Sequence, residues 1–269
     1  MHIDAFSSQY DQVVEDGGPT VRVRLFDRGF DDKPEKKKVR RRENVALRNV
    51  RAMILTRGMP GFPTLACAWT ENGHCAIRMS HVGTSLYGAM SKTPGVAAPP
   101  AAVCWIGFCV IGYLKSLHSV GLVHRSVSPH SIHIKQDGEL LLAAFDSCVR
   151  IGAASKEPPF DPIFAPAGWI THNAAAARMD DLETLAYSLV FAATGAHGDR
   201  RGVDMDLADI CKAAPPPVCA LLAYCRSGDA FSDQTYETMQ AFFAGPHSPA
   251  DMRDAFLRWH SARSASSPE

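Results

Sequence analysis

Convergent polar side chains are the raw material of chemistry, and this sequence gathers most of its own in "LVHRSVSPHSIHIKQDGELLLAAFDS", Leu122 to Ser147. Ser126, Ser128 and Ser131 could donate or accept hydrogen bonds, and Asp146 could bind a cation. His118, His124, His130 and His133 suggest zinc, but no cysteine lies among them, and a metal site is not expected. A second group is cationic: "KKKVRRR", Lys36 to Arg42, places six positive charges in seven residues after Pro34 and Glu35. It reads as a solvated loop before a helix, or as a nuclear-import or nucleic-acid patch. No aromatic residue interleaves the charges as a stacking platform would require, so nucleic acid is not expected as a main ligand. The eight cysteines (Cys67, Cys75, Cys104, Cys109, Cys148, Cys211, Cys219, Cys225) form no C-x-x-C pair, and several sit in apolar runs. They read as buried free thiols of an intracellular protein in a reducing compartment.

The elements that must position these groups follow from the patterning. The chain has 269 residues, 46% hydrophobic and 21% charged, with 28 Lys and Arg against 28 Asp and Glu. Length allows one two-lobed domain or two small ones, and the charge balance gives no global field for a polyanion. The N-terminus has no basic start followed by an apolar core, so no secretory signal is expected, and no apolar run reaches membrane-spanning length. "TVRVRLFD" alternates as a half-exposed strand, and in "ENVALRNVRAMILTRG" Leu47, Val50 and Ile54 repeat at helical spacing. "TLACAWT" and "HCAIRMSHV" around Asn72-Gly73 form a hairpin, and "SIHIKQDGELLLA" a second with Asp137-Gly138 at its turn. The Pro- and Ala-rich "KTPGVAAPPAA" is a connector. From Val103 a helical stripe runs through Ile106, Val110, Leu114 and Leu117. "MDDLETLAYSLVFAATG" is a central buried helix with an acidic first turn, favourable at the positive end of its dipole. Two more helices follow, then a polar tail, "SARSASSPE".

Taken together, "HSVGLVHRSVSPHSIHI" resembles the protein-kinase catalytic loop H-R-D-x-K-P-x-N, with a hairpin and D-F-G to follow. "ENGHCAIRMSHVGTSLYGAM" resembles the strand, hinge and first large-lobe helix. "DDLETLAYSLVF", "THN" at Thr171 to Asn173, and "LLAYCRSGDAFSDQTYETMQAFF" are similar to segments of the casein kinase I and vaccinia-related branch. The resemblance spans roughly Val21 to Ala244. It implies an α+β, bilobal kinase-like fold with a truncated strand-rich N-lobe and a mainly helical C-lobe. The expected divisions are 1–20, an N-terminal extension or remnant of the first strands; 21–82, N-lobe; 83–245, C-lobe; and 246–269, a C-terminal helix and polar tail.

Matched residue by residue, the family's reactive positions are altered. The phosphate-binding strand lysine is Arg24 and the helix glutamate that holds it is Asn49. The loop aspartate is Ser126, the loop lysine Ser128 and the metal-binding asparagine Ser131. D-F-G reads "AFD", so Ala144 stands at the metal aspartate and Asp146 at the glycine. A two-residue slip of the strand would carry Asp146 toward the metal position, but Ser131 would still be wrong. No G-x-G-x-x-G precedes "VRVRLF"; only Gly17 and Gly18 lie upstream. Loss of a general base costs about 10²–10⁴-fold. Losing both magnesium ligands as well, with non-additive effects, gives a combined loss of roughly 10⁶. Against a kinase rate of about 10 s⁻¹ that leaves roughly one turnover per day. His124, Arg125, Phe145 and Asp181 keep the family's frame positions, Asp181 being the central-helix aspartate that braces the loop.

The resemblance therefore implies a pseudokinase rather than an enzyme, with catalytic residues none, metal none, and ATP and magnesium binding lost. As a regulatory module it would bind a protein partner: a host or viral kinase, its substrate or its phosphatase. No membrane partner is expected. A viral origin fits the branch. Localisation would be nuclear or cytoplasmic, with Lys36, Lys37, Lys38, Arg40, Arg41 and Arg42 as the import signal or contact patch. The alternatives are a weakly active or nucleotide-binding Ser/Thr kinase using non-standard residues, and a nuclear scaffold using the basic run.

Overall fold

Alternation in "VRVRLF" produces β2 (Val21–Phe26), which lies between a short β1 (Val13–Val14) and β4 (His74–Ser80). With β3 (Leu65–Glu71) at the far edge, the antiparallel sheet runs β1-β2-β4-β3. The computed structural model describes residues 13–14, 21–26, 35–71, 74–92, 96–153, 162–166, 175–195, 206–227, 230–245 and 247–264. The Asn72-Gly73 turn, Gly17, Gly18 and the "THN" segment fall outside the described residues.

Helix α1 (Glu35–Leu55) packs against this sheet. It begins at Glu35 rather than Glu43, so Lys36, Lys37, Lys38, Arg40, Arg41 and Arg42 belong to its first turns. The loop reading of that run is corrected. Lys and Arg are good helix formers, and no Gly or Pro interrupts the run after Pro34. The phase differs too. Leu47 and Ile54 are 65% and 57% exposed, while Ala46, Asn49, Ala52 and Met53 form the buried face, continued by Thr56 just past the helix end. The expected core stripe of Leu47, Val50 and Ile54 is thus largely an outer face.

After β4 the chain forms β5 (Thr84–Ser85) and α2 (Leu86–Ser91), where Ser85 Oγ accepts the Gly88 N–H at 3.0 Å. Helix α3 (Pro100–Ser119) buries the whole expected stripe, Val103, Ile106, Val110, Leu114 and Leu117. By length and composition alone α3 could cross a membrane, but here it is the core helix of the large lobe, with 50% of the apolar stretch buried. Strands β6 (Leu122–Val123), β7 (Ile132–Ile134) and β8 (Leu140–Leu142) follow, then a 3₁₀ turn at Phe145–Ser147 and β9 (Val149–Arg150). The β7–β8 hairpin turns at Asp137-Gly138 as expected, with Gly138 at φ 81°.

Among the described residues the further α-helices are α4 (Arg178–Thr194), α5 (Leu207–Ala213), α6 (Pro216–Ser227), α7 (Gln234–Ala244) and α8 (Pro249–Ser264). α4 is buried from Asp181 to Ala192, between α3 and α6. α3 meets α7 so closely at Gly107 that a Cβ there would lie 2.3 Å from the Phe243 ring. Helix α8 takes in part of the expected polar tail. Its Arg263 is buried and donates to the carbonyls of Ala89 at 3.3 Å and Val96 at 2.6 Å, with its guanidinium over the Trp259 ring.

Candidate functional site

The site lies where α1, the loop between β6 and β7, the Phe145–Ser147 turn and the start of α4 converge. Asp181, fully buried, is its anchor. Its Oδ2 accepts the His124 backbone N–H at 2.7 Å and its Oδ1 accepts that of Arg125 at 2.6 Å. The His118 Nε2–H donates to the same Oδ2 at 2.8 Å, and the other ring nitrogen of His118 is bonded to the Tyr236 hydroxyl. The acidic first turn of α4 thus delivers one carboxylate into the interior, where three donors share it. Arg125 sits at φ 65°, a left-handed conformation costly to a side chain with a Cβ, and the bond to Asp181 helps to hold it there.

His124 is fully buried. Its Nε2–H donates to the Ala143 carbonyl at 3.0 Å, and Nδ1 accepts the Ser126 N–H at 3.3 Å. That pattern fixes one tautomer of a neutral imidazole, and burial pushes its pKa below the ordinary value. The ring also lies 5.4 Å from that of Phe145. Next to Asp181, the Asp180 carboxyl is pushed up to about 6 by burial, although it accepts the Ala177 N–H at 2.8 Å.

The loop serines turn inward. Ser131 Oγ donates to the Ser128 carbonyl at 3.0 Å and accepts the Ser128 N–H at 2.9 Å. Ser126, Ser128 and Ser131 are all buried. Ser188 on α4 donates to the Val127 carbonyl at 2.8 Å, closing the loop from below.

On the other side of the cleft, Asn49 replaces charge with a fork of hydrogen bonds. Its Nδ2 donates to Asp146 Oδ1 at 2.7 Å and to the Val45 carbonyl at 2.9 Å, while its Oδ1 accepts the Phe145 N–H at 3.1 Å. Arg48 donates to the Asp146 carbonyl at 3.2 Å. The Asp146 carboxylate is therefore bonded to α1. Ala144 precedes it in a left-handed conformation at φ 63°.

Of the residues singled out in the sequence, the structure gathers Asn49, His124, Arg125, Ser126, Ser128, Ser131, Ala144, Phe145, Asp146 and Asp181 around one cleft. Arg24 lies in β2 opposite Ile77, and the basic run lies apart in the first turns of α1. The four histidines disperse: His130 stacks on Tyr87 at 4.1 Å and the His133 ring lies against the Gly83 carbonyl. Among the described residues no group of three or more His, Cys, Asp or Glu could hold a metal ion. The roles of His118 and Tyr236 were missed. The usable signal was a histidine beside Leu114 and Leu117 on a buried stripe, where a polar group needs a partner.

No family model matches the chain. It is 27% identical over 92 residues to the serine/threonine-protein kinase WAG2 of Arabidopsis thaliana, covering 34% of this chain and 19% of that protein. It is 44% identical over 57 residues to the serine/threonine-protein kinase PknL of Mycobacterium tuberculosis, covering 21% of this chain and 14% of that protein. The chain thus spans under a fifth of the length of these relatives. The structure of vaccinia related kinase 3 superposes with a TM-score of 0.62 at 14% identity, covering 87% of this chain and 83% of that one. The fold is protein kinase-like, bilobal and α+β, and distant serine/threonine kinases are among its homologues. These matches correct the expectation that the chain is not an enzyme. The proteins it resembles are named as protein kinases, so altered motif positions do not by themselves remove it from that class.

Proposed function

We propose that this kinase-fold chain is a regulatory protein-binding module acting on a related kinase, its substrate or its phosphatase. One observation carries the reading: the polar groups of the cleft are spent on one another. Ser131 is closed onto Ser128, Asp146 onto Asn49, and His124 onto Ala143 and Ser126. A fold whose central polar groups brace its own frame presents information on its outer surfaces. The donors at the two metal positions, one engaged hydroxyl at Ser131 and a methyl at Ala144, do not fit a magnesium ion, which favours several oxygen ligands. The "DDLETLAYSLVF" helix supports a place near the casein kinase I and vaccinia-related branch. The basic run in α1 supports entry into the nucleus.

Phosphoryl transfer through non-standard residues is the second reading. It is favoured by the names of the relatives and by the Asp146 carboxylate beside the cleft. Affinity capture separates the two, using as baits the wild type, a variant with Ser126→Asp, Ser131→Asn and Ala144→Asp, and one with the six basic residues of α1 neutralised. The binding reading expects the first two baits to retain the same partners, and the third to lose nuclear accumulation or a salt-sensitive contact. It fails if the cleft variant alone loses them, or if the wild type retains no partner while transferring phosphate from ATP to a generic substrate.

A further inference from the structure

Among the described residues, three of the six large apolar side chains left exposed sit on one helix: Leu47, Ile54 and Leu55 of α1. The others, Trp69, Val96 and Phe242, lie on β3, before α3 and on α7. Single exposed apolar residues are ordinary on a protein surface, but those of α1 follow a rule. Leu47 and Ile54 are seven positions apart, and Val50, half-buried against the core, falls between them. That is the a, d, a spacing of a helix that pairs with another helix. Ala46, Asn49, Ala52 and Met53 are buried on the other side of α1, so the outward stripe has a firm base. Its charge is just as one-sided. From Glu35 to Arg57 the chain carries nine Lys and Arg against two Glu, a net of +7 in a chain whose total is zero. Arg51 stands at the e position between Leu47 and Ile54. Arg51 and Arg57 are exposed and join none of the ion pairs among the described residues. Arg40 and Lys36, seven and eleven positions before Leu47, fall on the same side of the helix by its 3.6-residue turn.

We propose that the outward face of α1 docks an acidic amphipathic helix of a partner protein. The partner's apolar stripe would meet Leu47, Val50 and Ile54, and its flanking carboxylates would meet Arg51 and the basic first turns. This docking mode rests on the regulatory-binding reading and gives it a surface and a partner chemistry. Charge complementarity selects the occupant. A second copy of α1 brings the same net +7 and is repelled. Nucleic acid would use the charges, but aliphatic side chains give its bases no ring to stack on. A helix that lies in an anionic membrane presents a wide apolar face, often with Trp or Phe, and the exposed stripe of α1 is narrow and purely aliphatic. An acidic helix uses both features at once, the apolar seam for affinity and the flanking charges for register and partner choice.

A synthetic probe tests the surface directly. A fluorescein-labelled peptide of three heptads carries Leu at a and d and Glu at e and g, and its own glutamates keep it from pairing with itself. Its binding to the full chain is followed by fluorescence anisotropy, beside a peptide with Lys in place of Glu. The acidic peptide should bind and the basic one should not. Leu47→Gln with Ile54→Gln should weaken binding at least about tenfold. Both side chains are more than half exposed, so their replacement leaves the fold intact. Arg51→Glu should weaken binding several-fold and reduce its dependence on salt. Phe242→Gln, at an exposed apolar residue away from α1, should bind as the wild type does. The proposal is overturned if the acidic peptide does not bind, if both peptides bind equally, or if the double variant binds unaltered. It is equally overturned if duplex DNA or phosphatidylserine vesicles bind the wild type more tightly and the double variant abolishes that contact. Capture from cells with the double variant separates this surface from the regulatory reading. Partners retained by wild type and variant alike leave that reading standing and remove α1 as the surface. A wild type that binds the acidic peptide through the stripe, yet captures no partner and transfers phosphate, keeps the surface and removes the reading.

Discussion

Replacing Asp181 by alanine would take the acceptor from three donors at once: the backbone N–H groups of His124 and Arg125 and the ring N–H of His118. All three lie in residues at most 5% exposed, so water does not replace the carboxylate. Each buried donor left unpaired costs about 1–3 kcal/mol. Partial relaxation keeps the sum toward the low end, and about 4 kcal/mol also matches the cost of breaking a buried charged pair. A domain has only about 5–15 kcal/mol in total. At about 2–4 °C per kcal/mol for a chain of this size, the melting temperature should fall by about 8–16 °C. Asp181→Asn keeps one carbonyl oxygen, and a His118 that shifts its proton to the other ring nitrogen can accept from the new amide. Its loss should be roughly half that of alanine. Calorimetry gives the melting temperatures, and hydrogen exchange should show the amides of residues 124 and 125 opening first. An alanine variant melting within about 2 °C of wild type would refute the claim that this carboxylate holds the loop.

The link between α1 and the Phe145–Ser147 turn is tested by Asn49→Asp, which sets a second carboxylate against Asp146 and removes two N–H donations. A loss of about 2–4 kcal/mol is expected in urea unfolding, restored in part by Asp146→Asn; an unchanged midpoint would show the link to be idle. Stability should also depend on pH through two groups of opposite sign. His124, lowered by burial, makes the fold lose stability as pH falls below about 6.5, where the unfolded chain takes up a proton that the native ring refuses. Asp180, raised to about 6, contributes stability that is fully present below the ordinary 3.8 and is lost as pH rises through about 6. Asp180→Asn should therefore make stability climb more steeply from pH 4 to 6.5, and an unaltered profile would show that Asp180 is not the group responsible.

Residue patterning alone located β2, both hairpins, α3 and α4; in α3 and α4 the buried residues are mostly apolar. α1 defeated the same reasoning. Its buried face includes Asn49 and is continued by Thr56 just past its end, polar residues that are buried because they have partners there, and its exposed face includes Leu47 and Ile54. Hydrophobic count gives the helix but not its phase when the neighbouring cleft is itself polar. Motif order located the loop, the Phe145 turn and Asp181, since those positions are fixed by local spacing. It could not show that Asn49 would turn to Asp146, or that His118 and Tyr236 would join Asp181. Those bonds connect residues about a hundred positions apart or arise from helices with no motif of their own.

Arg263 reaches back to the carbonyls of Ala89 and Val96, partners separated from it by 174 and 167 positions. On a ribosome the chain emerges from its N-terminus, so α2 and the connector before α3 are synthesised long before the cation that satisfies them. Until residue 263 has emerged, those carbonyls have only water or a transient partner, and the entry to α3 lacks its clamp. Folding of the large lobe during synthesis should thus stall short of completion until α8 can clamp the entry to α3.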